Sequence, residues 1–302
     1  MPERYQDYRK YLQPEIVAKL ANMELVARLV VEGFITGLHK SPYHGFSVEF
    51  AEHRQYMPGD EVRHIDWKIY GKRDRYYIKQ FEEETNLKAY ILLDASKSMA
   101  YSFPGRPSKL EYASYITAAL SHLMIQQRDA VGLTIYDEKV RTFMPPHATK
   151  TYLKEILRQL EVIEARNKTM TSVALHTIAE RIKRRGLVII LSDLFDNPHE
   201  VMNGLRHFRH KKNEVIVMQI LDPVERSFAF GNDAVFKDLE TREELTTQPW
   251  HIQKAYQSEI KKFLEMYKKE CRENNIDYVL LDTSTPFDIA LVEYLHKRQR
   301  IG

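Results

Sequence analysis

KAYILLDASKSMAYS, residues 88–102, runs from an apolar, strand-like segment straight into a carboxylate and two hydroxyls. The same texture returns four more times, in AVGLTIYD (130–137), GLVIILSD (186–193), EVIVMQILD (214–222) and IDYVLLDT (276–283). Helix-patterned stretches separate these runs, at 108–127, 148–162, 171–184, 197–209, 249–274 and 286–299. Continuous apolar strands alternating with helices predict an α/β fold, a doubly wound and mostly parallel sheet flanked by helices on both faces. Ser108-Lys-Leu-Glu111 has capping-box spacing, and Pro198 suits the first turn of a helix.

The sheet pattern fills residues 86–302, which are expected to form one domain. Upstream, residues 1–85 read differently. Ile16, Leu20, Met23, Ala27, Val30, Val31 and Phe34 recur at three- and four-residue intervals, predicting a helix over 15–38. From Ser41 to Thr85 the chain is polar and rich in Tyr, Arg and Asp, and is expected to be irregular. Arg54, Arg63, Arg73 and Arg75 interleave there with Tyr56, Trp67, Tyr70, Tyr76 and Tyr77. Such a pattern can suit single-stranded nucleic acid. Glu52, Asp60, Glu61, Asp66 and Asp74 stand among these residues, so a mixed-charge network is the preferred reading and no nucleic-acid partner is expected.

Bulk properties agree with a globular protein. Of 302 residues, 43% are apolar and 29% charged, and the net charge of +3 is too small to imply a polyanionic partner. The single cysteine, Cys271, excludes an internal disulfide and fits a reducing compartment. The start of the chain is polar, and the run 25–38 is interrupted by Arg28 and Glu32, so neither a secretory signal nor a membrane span is expected. These features predict a cytoplasmic location.

Four of the five strand runs end in Asp: Asp94, Asp137, Asp193 and Asp222. Parallel strands deliver their carboxyl ends to one edge, where ligands bind. Asp137 and Asp222 read as turn or cap residues. Asp94 and Asp193 have hydroxyl neighbours and read differently. Asp94, Ser96 and Ser98 offer one charge and two neutral oxygens at alternating positions. A hard cation such as Mg²⁺ (or Mn²⁺), with oxygen ligands at roughly 2.1 Å, suits that donor set. Thr169, in RNKTMTSVAL, would add a hydroxyl from a second loop, and Asp193 would complete the shell or hold a coordinated water. A nucleophilic serine finds no support, since no G-x-S-x-G elbow is present. His176, His199, His207 and His210 are scattered over predicted helices, and His207 with His210 reads as a solvated helix surface.

The Asp-x-Ser-x-Ser loop, a later Thr and an Asp after a further strand resemble the metal-ion-dependent adhesion site of von Willebrand factor A domains, through Asp94, Ser96, Ser98, Thr169 and Asp193. That family often has Gly beside the Thr, where this chain has Lys168, which leaves Thr171 open as the threonine instead. A wider resemblance rests on R-x-Y-x-PGD-x-x-R-x-IDW (54–67), FEEE (81–84), RIKRRGLVIILSDLFDNP (181–198), LRHFRHKKNEVIVMQILDP (205–223) and IDY-x-LL-x-T-x-x-P (276–286). Together these are similar to the bacterial family called domain of unknown function fifty-eight, over roughly residues 40–300. The resemblance implies a von Willebrand A-like fold and, as partner, a MoxR-type AAA+ ATPase. The expected function is a non-enzymatic, Mg²⁺-dependent protein-binding module that helps remodel or mature a client supplying an Asp or Glu ligand. The alternative is a metal-dependent phosphoester hydrolase using Asp94 and Asp193, with phosphate received by the basic segment 63–79. It lacks a dense carboxylate cluster and an evident general base.

Overall fold

The five apolar runs become parallel strands of one six-stranded sheet in the computed structural model. The structure describes residues 47–55, 57, 67–73, 76–84, 87–168, 170–230, 234–237, 244–247, 249–287 and 289–291. The helix predicted over 15–38, Thr169, and most of the stretch 286–299 lie outside the described residues.

In chain order the elements are β1 (Ser47–Gln55), α1 (Trp67–Arg73), β2 (Tyr77–Glu84), β3 (Lys88–Asp94), a 3-10 turn (Lys97–Ala100), α2 (Lys109–Gln126), β4 (Ala130–Tyr136) and β5 (Val140–His147). There follow α3 (Lys150–Glu161), α4 (Thr171–Arg181), β6 (Leu187–Ser192), α5 (Pro198–His210), β7 (Glu214–Leu221) and α6 (Pro223–Ser227). The last are β8 (Ala234–Lys237), β9 (Glu244–Thr247), α7 (Pro249–Glu273) and β10 (Asp277–Asp282).

The sheet order is β10-β7-β6-β3-β4-β5. Every neighbour is parallel except β5, which runs antiparallel to β4 at the edge. Chain connections leave β3 in one direction toward β4 and resume on its other side at β6, so the order reverses between β3 and β6. In open α/β sheets such a reversal marks the carboxyl-edge position where ligands bind.

Both faces are covered, which is why the strands read as unbroken apolar runs. Tyr90, Leu92, Val188, Ile190, Val215 and Val217 pack with Leu175 and Ile178 of α4, Leu205 and Phe208 of α5, and Tyr267 and Cys271 of α7. Side chains alternate along a strand, so Ile91, Leu93, Ile189 and Leu191 point to the opposite face. There α2 lies against β3 and β4, with Ala113 and Ile116 buried. Burying this much apolar side chain contributes roughly 1.5–3 kcal/mol for each large residue before conformational entropy is counted.

Two elements depart from expectation. β5 (VRTFMPPH) lies between the strand expected over 130–137 and the helix expected over 148–162, where no element was predicted, and it carries Pro145 and Pro146. At a sheet edge a missing N–H costs little, and register shifts in the β4–β5 ladder accommodate the prolines. The segment 41–85, expected to be irregular, contains β1 and β2 as an antiparallel pair with a bulge between Phe50 and Glu52, and the short α1. Its described residues form a compact unit separate from the sheet domain that begins at Leu87. An added pair, β8 with β9, lies in the chain between α6 and α7.

Candidate metal centre

Asp94 is the last residue of β3, and its carboxylate is completely buried. One oxygen, Oδ1, accepts from the Ser96 backbone N–H at 2.9 Å, and Oδ2 accepts from the Ser192 hydroxyl at 2.6 Å. The first bond closes the turn that carries Ser96 and Ser98, whose hydroxyl oxygens lie 3.1 Å apart. Ser192, the last residue of β6, also accepts from the Leu194 N–H at 2.9 Å. It therefore links the loops after β3 and β6 directly.

No cationic side chain among the described residues forms an ion pair with Asp94. Burial, reinforced by the nearby charge of Asp193, pushes its carboxyl up to about 7, against an ordinary 3.8. Two more hydroxyls are buried at this edge, those of Tyr136 and Thr171, and the Tyr136 phenol faces both Ser192 and Thr171. Burial pushes the Tyr136 phenol well above its usual range, with the charges of Asp94 and Asp193 adding to the shift.

The threonine loop is docked by its backbone. Lys97 N–H donates to the Asn167 carbonyl at 3.1 Å, and Arg166 N–H donates to the Ala95 carbonyl at 2.9 Å. Asn167 itself takes the left-handed conformation, at φ 58°. Its side chain donates to Asp137 Oδ2 at 2.9 Å, fixing the loop to the end of β4. Thr169 lies outside the described residues, whereas Thr171 is the first residue of α4 and is wholly buried. The next residue, Ser172, donates its N–H to Asp196 Oδ2 at 3.3 Å, so the β6–α5 loop supplies a carboxylate to the positive end of α4.

Asp193 follows β6, as expected from the sequence, but it is already held. Lys109 Nζ donates to Asp193 Oδ2 at 2.8 Å and to Glu225 Oε1 at 2.6 Å, and the lysine side chain is fully buried. Burial alone would pull the Lys109 ammonium down. Asp193 and Glu225 outweigh it, and the net shift is upward. Asp193 Oδ1 accepts from Phe195 N–H at 3.2 Å. Leu194, held in the left-handed region at φ 57°, turns the chain between them.

The sequence reading missed Lys109, Ser192, Tyr136 and Glu225. Lys109 carries one detectable signal: it is the first residue of α2, at the positive end of the helix dipole, where a cation is unfavourable without an acidic partner. Asp137 and Asp222 behave as the turn and cap residues they were read to be. Asp137 accepts from Lys139 N–H, and Asp222 caps α6 with Glu225 in a capping box.

The donor set suits a hard divalent cation. It comprises a buried carboxylate that no cation among the described residues pairs with, adjacent serine hydroxyls and a buried threonine hydroxyl, all oxygen donors. Among the described residues no group of three or more His, Cys, Asp or Glu that could hold a metal ion occurs, so an ion at this edge would rest on one carboxylate and neutral oxygens.

A mostly parallel sheet with one antiparallel edge strand, carrying the Asp94–Ser98 loop at its carboxyl edge, defines a von Willebrand factor A-like α/β domain. The chain belongs to the family described as "Protein of unknown function DUF58", whose model matches residues 52–264. Uncharacterized protein Rv1480 of Mycobacterium tuberculosis is 26% identical over 231 residues, covering 76% of this chain and 72% of that protein. Uncharacterized protein YeaD of Bacillus subtilis is 26% identical over 112 residues, 37% of this chain and 26% of that protein. Among solved structures, conserved hypothetical protein BatB from Bacteroides thetaiotaomicron matches 71% of this chain and 99% of its own at 17% identity and a TM-score of 0.46. An aerotolerance-related membrane protein from Bacteroides fragilis matches 72% and 100% at 16% identity and the same TM-score. No helix among the described residues of this chain is long and apolar enough to cross a membrane.

Proposed function

We propose that this chain is a protein-binding module that uses Mg²⁺ or Mn²⁺ and works beside a MoxR-type AAA+ ATPase in the cytoplasm, in the remodelling or maturation of a client protein. The observation that carries the reading is the Asp94 carboxylate, buried among hydroxyls and without an ion-pair partner among the described residues. Asp94, Ser96 and Ser98 would hold the ion with a threonine of the 169–171 loop. Thr171 is favoured because it is buried at this edge, its hydroxyl facing the Tyr136 phenol. When bound, the cation would offer an open coordination position to an Asp or Glu of the client.

The chain's own residues set how strongly that position attracts a carboxylate. Asp94 supplies a single negative charge, and the serines supply none. Lys109 neutralises Asp193 from behind and confines it to orienting water at the edge of the shell. A donor set of low negative charge leaves a cation electrophilic and receptive to an incoming anion. The hydrolase alternative calls on Asp94 and Asp193 together, and the hold of Lys109 on Asp193 speaks against it.

The partnership is tested by passing a purified MoxR-type ATPase from the same genome over the immobilised full-length chain, with Mg²⁺ and with a chelator. Retention that needs both Mg²⁺ and an intact Asp94 supports the reading. Failure to retain the ATPase under either condition removes it as the partner.

A further inference from the structure

Away from the carboxyl edge, α4 and α5 bring two histidines into direct contact. His176 Nδ1 and His207 Nδ1 lie 3.1 Å apart, with the rings tilted by 44°. Their meeting follows from the helix packing. A Cβ on Gly204 would come within 2.9 Å of Leu175 Cβ, so the absent side chain lets the helices approach closely at that point. His176 is the residue after Leu175, and His207 lies one turn beyond Gly204, so both rings emerge beside the closest approach.

The far nitrogen of His207 is engaged as well. Nε2 lies 2.9 Å from Glu180 Oε1, and Glu180 is itself held by Lys211 Nζ at 3.0 Å. In the neutral ring Nε2 carries the proton and donates it to Glu180, which leaves the Nδ1 lone pair directed at His176. A carboxylate on the distal nitrogen is how proteins fix the tautomer of a metal-bound imidazole and raise its basicity.

We propose that His176 and His207 form a surface site for a borderline transition-metal ion such as Zn²⁺, Ni²⁺ or Cu²⁺, clamping α4 to α5. Two metal–nitrogen bonds of about 2.1 Å, opened between square and tetrahedral angles, place the nitrogens about 3.0–3.4 Å apart. The observed 3.1 Å needs no helix movement, only a turn of the rings to converge their lone pairs. His207 ligates in the tautomer that Glu180 already imposes. His176 moves its proton from Nδ1 to Nε2, so no net proton is released from the neutral pair. The remaining coordination positions go to water. This site is chemically distinct from the oxygen-lined edge at Asp94, since imidazole pairs select borderline ions and oxygen cages select hard ones.

The test is a titration of the untagged full-length chain with Ni²⁺ and Zn²⁺, with nitrogen hyperfine structure in the Cu²⁺ electron paramagnetic resonance spectrum as a second readout. Wild type is expected to show a saturable site with two equivalent nitrogens. His176→Ala and His207→Ala should each abolish it, and Glu180→Gln should weaken it about tenfold. His210→Ala and Asp94→Asn should leave it intact. Binding that survives both histidine variants, or the absence of any saturable site in wild type, would overturn the proposal and reduce the contact to an imidazole hydrogen bond. Circular dichroism of each variant separates loss of the site from loss of the fold.

Discussion

A buried carboxylate that no cation among the described residues pairs with is a cost that the fold must carry, and at Asp94 that cost depends on pH. Its folded-state pKa of about 7 lies above the ordinary 3.8, so the proton is held more tightly in the folded state. The stability this confers is complete below about pH 4 and is lost as pH rises toward 7. At ~1.4 kcal/mol per unit, the loss amounts to a few kcal/mol, ~4 at the upper limit. In the absence of divalent ions, Asp94→Asn is therefore expected to match wild type near pH 4 and to exceed its stability above pH 7, as measured by urea denaturation. Lys109 poses the opposite case. Lys109→Met leaves Asp193 and Glu225 buried without their cation and should destabilise by ~3–5 kcal/mol, visible as a lower urea midpoint at pH 7. Asp94, Ser96 and Ser98 could be picked out of the sequence because a single short loop holds them. Lys109 offers only its place at the start of α2 as a signal, and its partners, 84 and 116 residues away, are revealed by packing alone.

Elements bring those distant residues together, and α4 is the clearest example. Its first residue, Thr171, is buried at the sheet edge, the N–H of its second donates to the Asp196 carboxylate, and its middle packs on α5 at Gly204. Gly204→Leu would drive a side chain into Leu175 and the carbonyl of Ser172, which lies 3.5 Å from an added Cβ. Overpacking of this kind costs ~1–3 kcal/mol. Thermal unfolding should report that loss, and Mg²⁺ affinity should fall with it because the start of α4 is displaced. The apolar strands β3, β4, β6 and β7 were legible because burial on both faces imposes continuous hydrophobicity, and β10, only partly buried at the sheet edge, by its apolar run. β5 was hidden by its two prolines. β1 and β2 were hidden by dense charge, with Glu82, Glu83 and Glu84 ending a strand that reads as a polar connector.

For the whole molecule, strand order turns separate loops into one place. The reversal between β3 and β6 sets the Asp94 loop beside Ser192 and Asp193, and the antiparallel return of β5 lets the chain re-enter at the same edge through residues 163–171. That convergence could be anticipated from the four strand runs that end in Asp, because a parallel sheet must deliver its carboxyl ends together. Whether the edge holds a cation is the claim on which the functional account stands. The most direct measurement is isothermal titration of the untagged, chelator-treated chain with Mg²⁺ and then Mn²⁺, comparing wild type with Asp94→Asn. The account predicts one saturable site in wild type, tighter at pH 8 than at pH 6 because the ion must displace the Asp94 proton, and no such site in the variant. No saturable binding by wild type, or equal binding by both proteins, would contradict it.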